Sequence, residues 1–461
     1  MSATPPVRGT RHFSRHPTVS WLKAKLSIAR VRLRAAAHGA RLAPGSLVRP
    51  DKHAYSCPGF LLEQAERHGP VFKALIGGKV TTCIFGLATG RRFLSENEGR
   101  ICGATTDFTP LFPHGTLRQM IGDPHRHYRR IFVAAFRVTG LREHEEAVRA
   151  ILRKAGAELA SGPQPISLEA IRATFKRALT EILFRLILGI DRQWHGFGSM
   201  LTAYERYAPN GTFLAVRNEH HEIFAEMAGI LHERARELGS AAPYPSLLGH
   251  LAKQRMLDPT SIGNLLQMTE AGRFDMMGLW CWLVRMLGHH AGIPDQIAEG
   301  DGQRRAFCEA TVLEALRLEQ SEFVLRRATS DIVFDGFFIP KRSLVRIAVW
   351  EAHKDPSCFA DPFRFDPQRF LGRKVSTDAF APFGLDMHRC LGADWVVEIS
   401  TTFVEQMASN LRWRIVADAP PEHGVFHFQP SDRLSVHFQQ RGGQGKANQD
   451  AWRATKSSTG P

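Results

Sequence analysis

Apolar residues recur at three- and four-residue steps through much of the chain, in segments such as Leu141 to Leu159, Ile166 to Leu188 and Phe213 to Leu238. That period lays one apolar stripe along each segment, so the pattern from about Pro58 to Leu318 predicts mainly helices. Two stretches break the period. Between Val71 and Phe85, the residues Val71, Phe72, Leu75, Ile76, Thr81 and Ile84 flank Gly77-Gly78, which predicts short strands joined by a turn. Ala328 to Val349 reads the same way, with Asp335-Gly336 as a turn between apolar runs. Beyond it, Trp395, Ile399, Phe403 and Met407 at four-residue spacing predict another long helix. No internal repeat is present. The outline is mainly α with a minor β region, in one large domain.

Composition adds that this domain has a substantial core. With 461 residues, 43% hydrophobic and 23% charged, the chain holds too much apolar material to be generally disordered. Seven cysteines, an odd number without a close Cys-x-x-Cys pair, suggest neither a disulfide framework nor a zinc ribbon. No stretch reaches the roughly 18 to 20 uncharged apolar residues that span a bilayer. Met276 to Leu287 comes nearest, and Arg285 interrupts it. The N-terminus also lacks a compact apolar signal core, so a cytoplasmic protein is expected.

The net charge of +15 is unevenly placed, because residues 1–50 carry eight Arg and two Lys and no acid. This basicity therefore says little about an active site. Leu22, Leu26, Ala29 and Leu33 recur at helical spacing among the bases, which suits a short helix on an anionic membrane. An organelle transit segment or a loosely docked arm has the same look. The expected division is a basic arm over 1–45, a main domain over 46–440 and a polar, disordered tail over 441–461. Nucleic acid is not expected as a partner, since no recognition motif accompanies the bases.

The richest chemistry lies in Ala381-Pro-Phe-Gly-Leu-Asp-Met-His-Arg-Cys-Leu-Gly392. Cys390 is expected at a helix N-terminus, where the dipole and free N–H groups lower a thiol pKa. Gly384 and Gly392 let the backbone turn tightly and approach a flat partner. Phe383 can shield the sulfur from water, and His388 and Arg389 can face carboxylates. This loop resembles that of the cytochrome P450 family: Phe, two residues, Gly, one residue, Arg or His, one residue, Cys, one residue, Gly. Phe383, His388, Cys390 and Gly392 match. Asp386 replaces a usual second Gly, which would put any left-handed backbone position there on an Asp. The resemblance implies the cytochrome P450 fold, a single large helical domain plus small sheets around a buried haem, with Cys390 as the iron ligand.

Further matches follow in order along residues 60 to 440. Glu314 and Arg317 are three apart on one helix face and can pair, and the family ties such a pair to a second Arg before the cysteine loop, here Arg369. In Gly122-Asp-Pro-His-Arg-His-Tyr-Arg129, His125 and Arg129 share a helix face and resemble the family's propionate-binding pair. Arg326 corresponds to another propionate-binding Arg, with Arg327 beside it.

The resemblance breaks in the oxygen-activating helix. Glu270-Ala-Gly-Arg-Phe-Asp-Met276 supplies the small pair Ala271 and Gly272, but Phe274 stands where the family carries an acid and Asp275 where it carries Thr. Thr269 is no substitute, because six residues turn it about 240° around the helix. Asp275 can relay protons to iron-bound oxygen, or handle the protons of hydrogen peroxide as oxidant. Oxygen activation can also have been abandoned in favour of a non-redox lyase or isomerase, or of haem binding without catalysis. The plainer alternative turns Asp275 aside to pair with a cation such as Arg273.

The leading expectation is a monomeric haem-thiolate monooxygenase, holding heme b (iron protoporphyrin IX) and oxidising a hydrophobic terpenoid, fatty acyl or aromatic compound. No flavin or ferredoxin module is visible, so electrons from NAD(P)H would arrive through a separate ferredoxin or flavodoxin. Arg364, Arg373, Lys374 and Arg389 offer a basic docking face for it. Phe108, Leu111, Phe112, Phe197, Phe213, Phe323 and Val324 are expected either around the substrate or in the core.

Overall fold

The computed structural model describes residues 29–45, 59–76, 79–104, 111–112, 114–207, 220–241, 245–300, 302–319, 323–423 and 428–442. Most of the basic arm, the tail beyond 442, Phe108 and Phe213 lie outside them. The chain forms two compact units, one from Met1–Thr106, Glu322–Pro362 and Ser376–Arg389, the other from Asp107–Ser321, Phe363–Val375 and Cys390–Pro461.

The first unit is built on a five-stranded sheet. Strands β1 (Val71–Ile76) and β2 (Lys79–Phe85) pair antiparallel with Val71 opposite Ile84, and the predicted turn at Gly77-Gly78 lies outside the described residues. Strand β3 (Ile101–Gly103) forms the far edge. The segment predicted to be strand-rich, Ala328 to Val349, resolves into the hairpin of β5 (Ile332–Phe334) and β6 (Phe337–Ile339) and into β7 (Leu344–Ala348), and a further strand, β4 (Phe323–Ala328), precedes it. Asp335 and Gly336 both have positive φ, 49° and 73°, the conformation that a tight two-residue hairpin requires. Strand β7 runs parallel to β2 and antiparallel to β4, giving the order β1-β2-β7-β4-β3. Helices α1 (Phe60–His68) and α2 (Leu87–Glu96) belong to this unit, and Phe93, Ile84, Val345 and Ile347 are fully buried in its core.

Residues 29–45, read from the sequence as the end of the arm, dock on this sheet. Lys73 donates its backbone N–H to the Pro44 carbonyl at 2.7 Å and its ammonium to that of Ala43 at 2.6 Å. Gly45 has φ +126°, and a Cβ there would fall 2.2 Å from the Lys73 carbonyl oxygen, so only glycine fits. Arg41 bridges to Phe337 and lies over its ring at 5.0 Å.

The second unit is helical. It contains α3 (Gly122–Val138), α4 (Glu145–Ser161), α5 (Leu168–Leu183), α6 (Phe197–Tyr207), α7 (His220–Ala241), α8 (Leu247–Lys253), α9 (Pro259–His289), α10 (Gly292–Glu299) and α11 (Arg304–Leu318). Helix α12 (Val349–Ala352) is a short turn of the first unit, and α13 (Ala393–Asn410) returns to the second. The predicted helix at Ile166 begins two residues late. Ile166 and Ser167 instead pair with Val436 and Ser435, and the Ser167 hydroxyl caps α5 by accepting from the Ala170 N–H. Helix α5 runs into a π-turn over Phe184–Leu188, which Gly189 ends at φ +65°.

The 31-residue α9 is the axis of this unit. Asp258 caps it at 2.7 Å from the Ser261 N–H, with Pro259 in the first turn, where its missing donor costs nothing. Towards its other end Trp280 stacks on Phe403 of α13 at 4.2 Å, and Phe175 of α5 packs its edge against both rings. Three helices are thereby joined through aromatic faces and edges, a geometry favoured by the ring quadrupoles. Among the described residues, no helix is long and apolar enough to cross a membrane.

Candidate active site

Burial separates the cysteines. Cys83, Cys281 and Cys308 are enclosed, and desolvation pushes each thiol up to about 12, so these sulfurs stay protonated and serve packing. Cys390 is exposed and outside any disulfide. The loop leading to it is held in the first unit. The buried His353 accepts the Ala381 N–H on Nε2 at 3.0 Å, and Gly384 donates back to the Ala381 carbonyl at 3.2 Å. Gly384 takes the left-handed position, φ +85°. Asp386 opens a single 3₁₀ turn, Asp386–His388, a right-handed conformation. The expected strain on Asp386 does not arise, because the positive φ falls on Gly384. Phe383 and His388 are partly buried along this stretch.

The helix after the cysteine starts later than predicted. Gly392 is its N-cap and Ala393 its first residue, so Cys390 stands two residues ahead of the cap. A Cβ on Gly392 would lie 3.7 Å from the Phe136 ring, in ordinary contact, and Phe136 meets Trp395 edge-on at 4.6 Å.

Behind this segment, in the same unit, the predicted carboxylate anchor is present. Glu314 and Arg317 are 0% exposed, and Arg317 grips the carboxylate with both Nε and Nη2, at 2.7 and 2.8 Å. Glu314 Oε1 also accepts the Asp366 N–H at 2.9 Å and pairs with Arg369 at 3.4 Å. The pair joins α11 to the Pro367–Arg369 turn that precedes the cysteine loop. On α3, His125 is 2% exposed and Arg129 follows one turn later on the same face. Tyr128 pins that helix to the start of α9 through Asp258 at 2.6 Å. Arg326 lies in β4 of the first unit, half-buried.

Helix α9 carries Ala271, Gly272 and Asp275 as expected, on a helix otherwise largely enclosed. Met268, Ala271 and Asp275 recur at three and four residues along a face left partly open, and Asp275 is exposed. Gly272 approaches α5, where an added Cβ would sit 3.4 Å from Leu183. The suggested Arg273–Asp275 pair is overturned. Arg273 is 2% exposed and bound to Glu270 at 2.6 Å, because residues three apart meet on a helix whereas residues two apart do not. Glu270 and its second partner, Tyr204, were missed from the sequence; the Glu-x-x-Arg spacing was the available signal. Leu111 and Phe112 are buried, Phe112 edge-on to Tyr207 and Phe224, so they serve the core.

These residues suit an iron porphyrin. They offer a thiol outside the core, an imidazole and a guanidinium one turn apart for carboxylates, and a small residue, Ala271, on the open face of a long helix.

The model of the family described as Cytochrome P450 matches residues 285–423, which include Glu314, Arg317, Arg326, Arg369, Phe383, His388, Cys390 and Gly392. A cholesterol 16,22-dihydroxylase of Paris polyphylla is 24% identical, over 80% of this chain and 83% of that protein. A putative cytochrome P450 138 of Mycobacterium tuberculosis is 26% identical, over 71% and 79%. The solved structure of retinoic acid-bound cyanobacterial CYP120A1 superposes with a TM-score of 0.68 at 20% identity, covering 87% of this chain and 100% of that one. Family model, relatives and solved structures together support a member of the cytochrome P450 family. As a P450 it is an oxidoreductase of the monooxygenase class. The matched residues lie downstream of Ala271, Gly272 and Asp275.

Proposed function

We propose that this P450 hydroxylates or otherwise oxidises a hydrophobic small molecule, using dioxygen and electrons from NAD(P)H delivered by separate redox proteins. The observation that carries this reading is Glu314, buried between Arg317 and Arg369, in the unit that also holds the exposed Cys390. Terpenoid, fatty acyl and aromatic compounds are the substrate classes considered. Relatives named for oxidation of cholesterol and of abscisic acid favour the terpenoid and sterol end of that range.

Haem b bound through Cys390 would supply the power to insert one oxygen atom into a C–H bond. Around it each side chain has its own task. The Cys390 thiolate would hold the iron, Phe383 would keep water from the sulfur, and His388 would hold a carboxylate. His125, Arg129 and Arg326 would neutralise propionates, and Gly392 would allow close approach of the backbone. Ala271 and Gly272 leave room for a small oxidant, and Asp275 holds and releases a proton beside them. Arg364, Arg373 and Lys374 form a basic face for an acidic ferredoxin or flavodoxin. The protein works as a monomer in the cytoplasm or at a membrane surface.

A second reading, peroxide as the oxidant, is favoured by one observation. Asp275 is exposed, on the same partly open face of α9 as Ala271.

The ferrous carbonyl spectrum of the wild type beside Cys390→Ala tests the ligand. A thiolate-type band lost in the variant supports it, and a histidine-type band in the wild type removes it. Reductant consumption with gain of one oxygen atom by substrate supports the oxidation, and a product of unchanged redox state supports a lyase or isomerase instead. Ligand-induced spectral shifts without turnover by either oxidant would leave a haem-binding protein.

A further inference from the structure

Glu270 lies one residue before Ala271 and is 2% exposed. Its Oε2 accepts the Tyr204 hydroxyl at 2.7 Å and Arg273 at 2.6 Å. Arg273 reaches on to the Thr180 hydroxyl at 3.4 Å and lies 4.8 Å from the centre of the Tyr204 ring. The Glu270–Arg273 pair therefore ties α9 to α6 through Tyr204 and to α5 through Thr180. The other Glu270 oxygen, Oε1, is buried without a hydrogen-bond partner. Lys176 on α5 and, beyond it, Glu205 on α6 are the further charges acting on this cluster.

Stability is a weak reason to keep such a group. Removing both ions from water cancels much of their attraction, and a well-packed apolar pair of similar volume often does as well. What the pair supplies is orientation. Glu270 and Arg273 span the turn that presents Ala271 and Gly272 and leads to Asp275, and rotation of that turn would pull both from Tyr204 and Thr180. Arg273 lies about 200° around the helix from Asp275, so the lock and Asp275 occupy different faces of α9.

We propose that Glu270 is a positioning residue for the oxidation: with Arg273 and Tyr204 it locks the turn of α9 that carries Ala271, Gly272 and Asp275, and couples that turn to α6. This rests on the reading of Asp275 as the proton-handling group.

The test compares the wild type with Asp275→Asn, Tyr204→Phe and the double variant Glu270→Met/Arg273→Met. It measures the pH profile of turnover and the substrate-induced spin-state shift of the haem. Asp275→Asn should remove one limb of the wild-type profile. The double variant should keep the thiolate carbonyl band and its melting temperature, while that limb moves by about half a pH unit and kcat falls about fivefold with KM nearly unchanged. Tyr204→Phe should move the limb in the same direction by less. A double variant with the wild-type limb, kcat and spin shift overturns the proposal. Should the double variant not fold, Tyr204→Phe decides, and an unmoved limb with an unmoved spin shift overturns it. If Asp275→Asn leaves the profile intact, the proton role of Asp275 fails, and with it this proposal. A wild type without the thiolate band is a separate result, since it removes the functional reading before any variant is compared.

Discussion

Two Glu-x-x-Arg pairs are buried in the helical unit, and they are finished differently. Glu314 uses both oxygens, taking two bonds from Arg317, the Asp366 N–H and the charge of Arg369. Glu270 uses one oxygen for Arg273 and Tyr204 and leaves the other bare. Burial accordingly pushes the Glu270 carboxyl above its ordinary range, against the pull of Arg273 and Tyr204. Identical spacing thus yields a saturated anchor in one place and an under-filled joint in the other. The anchor lies inside the stretch that matches the family model, and the joint lies upstream of it.

The comparison can be broken most sharply at the anchor. Glu314→Ala strands a fully buried Arg317, and denaturant titration should show a loss of about 3–5 kcal/mol, with haem content at purification falling in step. Glu270→Gln should cost less, about 2–3 kcal/mol in the same titration, since the amide oxygen still accepts from Tyr204 and Arg273. An equal loss at the two sites would erase the distinction. Tyr204→Phe removes one charge-assisted bond and should cost about 1.5 kcal/mol by thermal or chemical melting. The smallest effect is in pH. Because the folded Glu270 carboxyl is raised, its contribution to stability is whole below the unfolded Glu value of about 4.3 and is lost as pH rises through the folded value. The gap between wild type and Glu270→Gln should therefore narrow from acid toward neutral pH. A gap that widens would mean the Arg273 attraction outweighs burial.

Legibility followed the range of the interaction. The cysteine loop, the pairing of Glu314 with Arg317 and its link to Arg369 could be read because each rests on a short motif in a fixed order. The Asp335-Gly336 turn was legible because two adjacent positive φ angles restrict the residues that fit. Helix starts were less so: Ile166 and Ser167 carry the apolar period of α5 yet are claimed by strand pairing with Val436 and Ser435. The alternative that paired Asp275 with Arg273 fails because helix geometry gives Arg273 to Glu270, three residues away. Tyr204, some 66 residues away in sequence, has no local signal that would place its hydroxyl on that carboxylate. Residues 29–45 looked like part of a solvated arm because their partners, Lys73 and Phe337, are likewise remote in sequence.

Helix α9 behaves as a strut clamped at its ends. Near one end Asp258 holds Tyr128, and toward the other Trp280 bonds to Ser400, Trp282 to the Phe428 carbonyl, and Arg285 to Asp418. Its mid-span can then accept foreign side chains on the open face without endangering the architecture. Substitutions at Phe274 and Asp275 can then be tolerated while the clamps keep the beam in place.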